Sequence, residues 1–131
     1  MRVADANVLL RYLLNDHDQL SEQAARIIAE GVHTYPAVIA EVVYVLAGPY
    51  ALSREDIRTV VGDLINEIEI DDHDTLKLAL DYYAEDNVDF VDGLLIAHAI
   101  IGGADIASFD KKLNTLIARD RQREGNSPTL S

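Results

Sequence analysis

The chain has 131 residues, which suits one compact domain, and 49% of them are apolar, enough to build a buried core and to exclude a disordered chain. It has no cysteine, which excludes disulfides, thiolate zinc sites and cysteine nucleophiles together. The formal charge of −12 excludes a globally basic nucleic-acid binder and reads as solubility or adaptation to a salty cytoplasm.

Contact with phosphates would then fall to local basic groups. Lys111, Lys112, Arg119, Arg121 and Arg123 form one, and Arg11, Arg54 and Arg58 a second. No basic-then-apolar leader opens the sequence, and no apolar stretch reaches the roughly 18 residues a membrane helix needs. The expectation is a cytoplasmic protein with no membrane attachment.

Taken in chain order, residues 2–4 are predicted as a short strand and residues 7–14 as a helix. Residues 20–31 form a clearer helix, opened near Ser21 and stopped by Gly31. Residues 32–35 read as a second strand, and Pro36 suits the first turn of a helix that Gly48 and Pro49 end. Ser53 caps the next helix, with Glu55 and Asp56 in its first turn. The alternation over 67–70 predicts a half-buried strand, and Asp72 or Asp74 starts a helix through residue 84. Asp89 caps a helix over 90–101 that Gly102 and Gly103 terminate. Residues 106–108 are predicted as a last strand, with Asp110 capping a final helix. This alternation predicts an α/β fold, a short parallel sheet flanked by helices. Residues 1–121 are expected to form one domain, and residues 122–131 a polar C-terminal tail.

Four acids attract chemistry. Asp5 and Asp110 each follow a predicted strand, and Asp92 lies in the first turn of a helix. In an open parallel sheet such positions converge at one edge, where ligands bind. Helix capping explains Asp5, Asp110 and the Asp89–Asp92 pair equally well when each is taken alone. Glu41 differs, because its helix, AVIAEVVYVL, is apolar nearly all round and is expected to be buried. A buried glutamate needs a partner, and no basic residue lies within a helical turn. A distant arginine or a cation would resolve it. Four carboxylates held together call for protons or metal between them, and all-oxygen donors favour Mg²⁺ or Mn²⁺. Metal-assisted phosphodiester hydrolysis is one use of such a group.

These residues resemble the PIN-domain family, most closely its VapC-type toxin branch. VADANVLLRYLL resembles the first motif and maps to Asp5 and Asn7. VIAEVVYVL is similar to the second and maps to Glu41. DFVDGLLIAHA resembles the third and maps to Asp92, and IASFDKKL the fourth, mapping to Ser108 and Asp110. The likeness covers roughly residues 1–117. It implies a three-layer α/β/α fold, Mg²⁺ or Mn²⁺ bound by Asp5, Glu41, Asp92 and Asp110, and endonucleolytic cleavage of RNA. Asp92 or Asp110 would help orient or deprotonate the attacking water. Asn7 and Ser108 would hold the carboxylates from outside, with Asp89 as a cap or further outer group. The branch also implies a cognate antitoxin and a homodimer. Two positions depart from the pattern: Gly93, which suggests a looser helix start, and the missing apolar run for a final strand.

Other features are read structurally. Asp71, Asp72, His73 and Asp74 look like a capping run, His98 like a hydrogen-bonded histidine near the core, and Tyr82 and Tyr83 like packing residues rather than base-stacking ones. A HAD-type phosphatase would need an acid two residues after Asp5, where Asn7 stands. A PIN-like module that binds without catalysis is the other alternative.

Overall fold

The computed structural model describes residues 1–16 and 18–126. Three short strands, β1 (Arg2–Val3), β2 (Val32–Thr34) and β3 (Glu69–Ile70), form a parallel sheet in that order. Arg2 pairs with Val32, and His33 with Glu69. Around it run α1 (Ala6–Leu14), α2 (Asp18–Glu30), α3 (Pro36–Ala47), α4 (Arg54–Glu67), α5 (His73–Glu85), α6 (Phe90–Ile101) and α7 (Lys111–Asn126). The result is a three-layer α/β/α fold. Among the described residues, no helix is long and apolar enough to cross a membrane.

Local chemistry sets the element ends. Pro36 opens α3, where its missing N–H costs nothing, and Ser53 Oγ accepts the Asp56 N–H at 3.1 Å to cap α4. Gly31, at φ 96°, turns α2 into β2 in a conformation that costs any other residue strain. The main core joins Leu9, Val32, Ile39, Leu46, Ile57 and Leu76. A smaller cluster of Ile96, Leu113, Leu116 and Ile117 docks α7 onto α6.

The predicted strand over 106–108 is absent, and residues 103–110 run without regular structure. Only Ile106 has apolar packing there, onto the smaller cluster. Side chains satisfy the nearby carbonyls: Arg121 donates to Ala104 O at 2.6 Å and Asn114 to Ser108 O at 2.9 Å. The outer edge of β1 is therefore left open, with Val3 57% exposed. At the other end, α7 carries on through residues 122–126, which the composition marks as tail; residues 127–131 lie outside the described residues.

Gly93 tightens the start of α6 rather than loosening it. A Cβ at this buried position would meet the Ala79 carbonyl oxygen of α5 at 2.8 Å. The missing side chain is what lets α5 and α6 approach. Gly93→Ala should therefore cost about 1–2 kcal/mol of stability net, overpacking outweighing the gain in helix propensity. A Cβ at Gly62, in α4, would meet nothing within 4 Å beyond the backbone of its own helix. Gly62→Ala should stabilise by up to about 1 kcal/mol. Urea denaturation of both variants checks the pair, and a neutral Gly93→Ala would refute the close approach.

Candidate active site

Each candidate acid has a defined local role. Asp5 is the N-cap of α1, its Oδ1 accepting the Val8 N–H at 3.0 Å. Asp110 serves α7 likewise, its Oδ1 accepting the Leu113 N–H at 3.0 Å. Each cap occupies one carboxylate oxygen and leaves the other available. Asp89 sits at the N-cap position of α6, yet its carboxylate makes no capping hydrogen bond. Asp92 follows in the first turn, half-buried.

Burial, then the charges of Asp89 and Asp110, push the Asp92 carboxyl above its ordinary range. These three acids are therefore electrostatic neighbours. Helix α3, which carries Glu41, packs both on α1, which Asp5 caps, and on α6.

Glu41 does not occupy the buried position its helix composition suggests. Helix α3 buries Ile39, Val42, Val43 and Leu46, and turns Glu41 and Tyr44 to solvent. The apolar character of the helix is spread over more of its circumference than packing uses, so Glu41 needs no partner to be tolerated.

The outer groups act differently from expectation. Ser108 Oγ accepts the Asp110 N–H at 3.0 Å, ordering the turn rather than the carboxylate. Asn7 is exposed, lines a small cavity between α1 and α2, and makes no hydrogen bond to a carboxylate among the described residues.

The donors of Asp92 and Asp110 are all oxygen, which suits a hard cation such as Mg²⁺ or Mn²⁺. A cation there would relieve the repulsion that raises Asp92. Among the described residues, no three His, Cys, Asp or Glu side chains stand close enough as arranged to hold one ion together.

The loop between α5 and α6, which delivers Asp89 and Asp92, is clamped by cations. Arg54 Nη1 donates to Tyr83 O at 2.8 Å and Val88 O at 2.7 Å, while its guanidinium lies 4.2 Å from the centre of the Tyr83 ring. Lys112 Nζ donates to Asn87 O at 3.1 Å, and Arg119 forms a two-pronged pair with Asp86 at 2.9 and 3.2 Å. No sequence pattern marked Arg54 for this work, because its acceptors are backbone carbonyls 29 and 34 residues away.

The two basic groups are thus largely engaged within the fold. Arg58 pairs with Glu55, Asp81 and Glu85, Arg11 with Asp16, and Arg123 with Asp120. Lys112 and Arg121 donate to backbone carbonyls, and among the described residues of the C-terminal group only Lys111, beside Asp110, has neither kind of partner.

A cavity of about 300 Å³ lies between α3 and the start of α6, and Asp89 and Asp92 form part of its wall. A larger one, about 480 Å³, sits by the far end of α6 around the Arg119–Asp86–Asp120 network. That network is satisfied internally, so the larger cavity is not the chemical centre.

Tyr82 and Tyr83 are buried, Tyr82 donating to Asp120 at 2.5 Å, as packing residues should be. His98 is exposed in the last turn of α6 rather than near the core. In the 71–74 run, Asp71 faces His33 at 3.5 Å and His73 meets Asn66 at 2.8 Å.

Because folded Asp92 titrates above its ordinary range, its contribution to stability is full below the unfolded carboxyl range and falls as pH rises through its titration. Asp110→Asn keeps an equally good cap for α7 and removes one repelling charge. In EDTA, carboxyl-detected NMR titration should show Asp92 moved down in that variant, with a smaller loss of stability on raising the pH. An unmoved Asp92 would contradict the coupling.

Searches of curated proteins and of solved structures found no match. The PIN domain family model matches residues 2–117, from β1 into α7. PIN domains are generally nucleases, and those nucleases bind RNA and generally use divalent metal ions. With the α/β/α layers, the parallel sheet and the acids at the start of α6 in place, the chain belongs to the PIN-domain family.

Proposed function

We propose that this protein is an endoribonuclease dependent on Mg²⁺ or Mn²⁺, with Asp5, Glu41, Asp92 and Asp110 as its working carboxylates. The observation that carries the reading is Asp92: a half-buried acid pressed by Asp89 and Asp110 at the start of α6. Like charges crowded together without benefit to the fold are a mark of functional sites. A divalent ion held by these acids would supply charge neutralisation at the phosphate and lower the pKa of a bound water.

The chain's own groups have separate tasks. Asp5 and Asp110 are fixed in direction by the amides they cap, so each presents its remaining oxygen without losing rotamer freedom on binding. Asp92, with its raised proton affinity, takes the proton from the attacking water. The water oxygen bonds to phosphorus as the bond to the leaving ribose oxygen breaks. Lys111, adjacent to Asp110 and unpaired among the described residues, is placed to meet a neighbouring phosphate.

We further propose that the enzyme is the toxin of a toxin–antitoxin pair, acting in the cytoplasm as a homodimer until an antitoxin protein silences it. The motif likeness to the VapC-type branch supports this. A module that binds without cutting is the second reading, favoured by the scarcity of unpaired cations for an RNA backbone.

Purified protein should cut single-stranded RNA with Mg²⁺ or Mn²⁺ and not in EDTA. Asp92→Asn should lower the rate by about 100-fold or more while leaving the circular dichroism spectrum unchanged. Induced in a bacterial host without an antitoxin, the wild type should arrest growth and Asp92→Asn should not. Cleavage that survives EDTA or the substitution refutes the mechanism. No cleavage with either ion favours the binding module, and unimpaired growth refutes the toxin role.

A further inference from the structure

The cavity between α3 and α6 has apolar walls, among them Ala40, Ala47 and Val91. Its polar side chains are Tyr44, Asp89 and Asp92. Tyr44 is 78% exposed, and Val91 is exposed beside it, so an aromatic and an aliphatic surface stand open next to two carboxylates.

The Asp89 carboxylate makes no hydrogen bond to the first turn of α6, and no cation pairs with it among the described residues. An ionised carboxylate has acceptors and no donors. A ligand filling this cavity could replace the water at exposed Asp89 with an N–H or O–H edge and lay a flat apolar face on Tyr44. Asp92 belongs both to the cavity and to the group of repelling acids, so the ligand lies against the place where a phosphodiester would react. A nucleobase next to the cleaved bond meets all three conditions. The volume is at the lower end for small-ligand sites, which suits one base.

We infer that the α3–α6 cavity is a nucleobase subsite in which Tyr44 stacks on the base and Asp89 reads its N–H edge, favouring guanine. The inference rests on the nuclease reading for the identity of its ligand. Guanine is favoured because its N1–H and N2–H donors lie side by side and match the two oxygens of one carboxylate. Cytosine, adenine and uracil each present fewer donors along that edge. Tyr44 supplies stacking that does not distinguish bases.

The four free nucleosides test this in EDTA. They carry no phosphate, so neither metal nor the reacting group contributes. The readout is the methyl NMR shifts of Ala40, Ala47 and Val91 in the full chain. Guanosine should move them at a concentration at least about tenfold lower than uridine does. Asp89→Asn should remove most of that preference, and Tyr44→Ala should weaken all four nucleosides about tenfold. Both substituted residues are exposed, so the fold should survive. As a separate check, Ala47→Phe should fill the cavity and abolish the shifts.

Equal response to the four nucleosides, or a guanosine preference unchanged in Asp89→Asn, would overturn the base reading. Shifts confined to other parts of the molecule would overturn the subsite itself. Neither result bears on cleavage. If RNA is never cut but guanosine still moves these methyls, the subsite stands and the nuclease reading falls.

Discussion

One guanidinium nitrogen, Arg54 Nη1, holds two backbone carbonyls, Tyr83 O at the end of α5 and Val88 O just before Asp89. The placement of Asp89 and Asp92 depends on this grip. Residues 86–89 must reverse the chain in four positions, and Asn87 adopts the left-handed conformation to do so, with φ at 55°. Carbonyls turned outward in such a loop would otherwise rely on water. A charge-assisted donor is worth roughly 1.5–3 kcal/mol against one left unmade. Lys112 and Arg119 hold Asn87 O and the Asp86 carboxylate from α7, so the loop is fixed from two helices at once. Gly93 completes the arrangement by letting α6 settle directly on the Ala79 carbonyl.

That use of cations explains how a chain of charge −12 can still be built around an acidic centre. Its arginines neutralise acids within the fold: Arg58 answers Glu55, Asp81 and Glu85, and Arg119 answers Asp86 and Asp120. The acids at the start of α6 receive none of them, so nothing offsets the burial and the neighbouring charges of Asp89 and Asp110 that raise the Asp92 carboxyl. Half-buried and without a cationic partner among the described residues, Asp92 is the acid there with most to gain from added positive charge. The same distribution leaves few free cations to draw in an RNA backbone. On the proposed reading, recognition would shift toward a bound ion and toward base contacts in the α3–α6 cavity.

Much of the fold was legible in the sequence. Pro36, Ser53, Gly31 and Gly102 are local signals whose meaning does not depend on the rest of the chain, and the helices start and stop near them. Residues 106–108 carried a strand-like pattern, but a strand exists only if a neighbour pairs with it. Here Asn114 and Arg121 take the nearby carbonyls instead. Of the site, the order of Asp5, Glu41, Asp92 and Asp110 could be read, and so could the capping roles of Asp5 and Asp110. The exposure of Glu41 could not, because composition says how apolar a helix is and not which arc it buries. Nor could the uncapped state of Asp89 or the Arg54 clamp, since both are set by contacts between residues distant in sequence. Tyr44 left a faint trace in its spacing, three positions after Glu41 and hence on the same helix face.

The central claim is that acids from four separate elements serve one cation. Titrating Mn²⁺ into isotope-labelled protein and mapping the paramagnetic broadening tests it directly. Broadening should centre on residues 89–92 and 110–111, extend to Asp5 and Glu41, and vanish in Asp92→Asn. Broadening centred on residues 71–74, or spread evenly over the acidic surface, would contradict the claim.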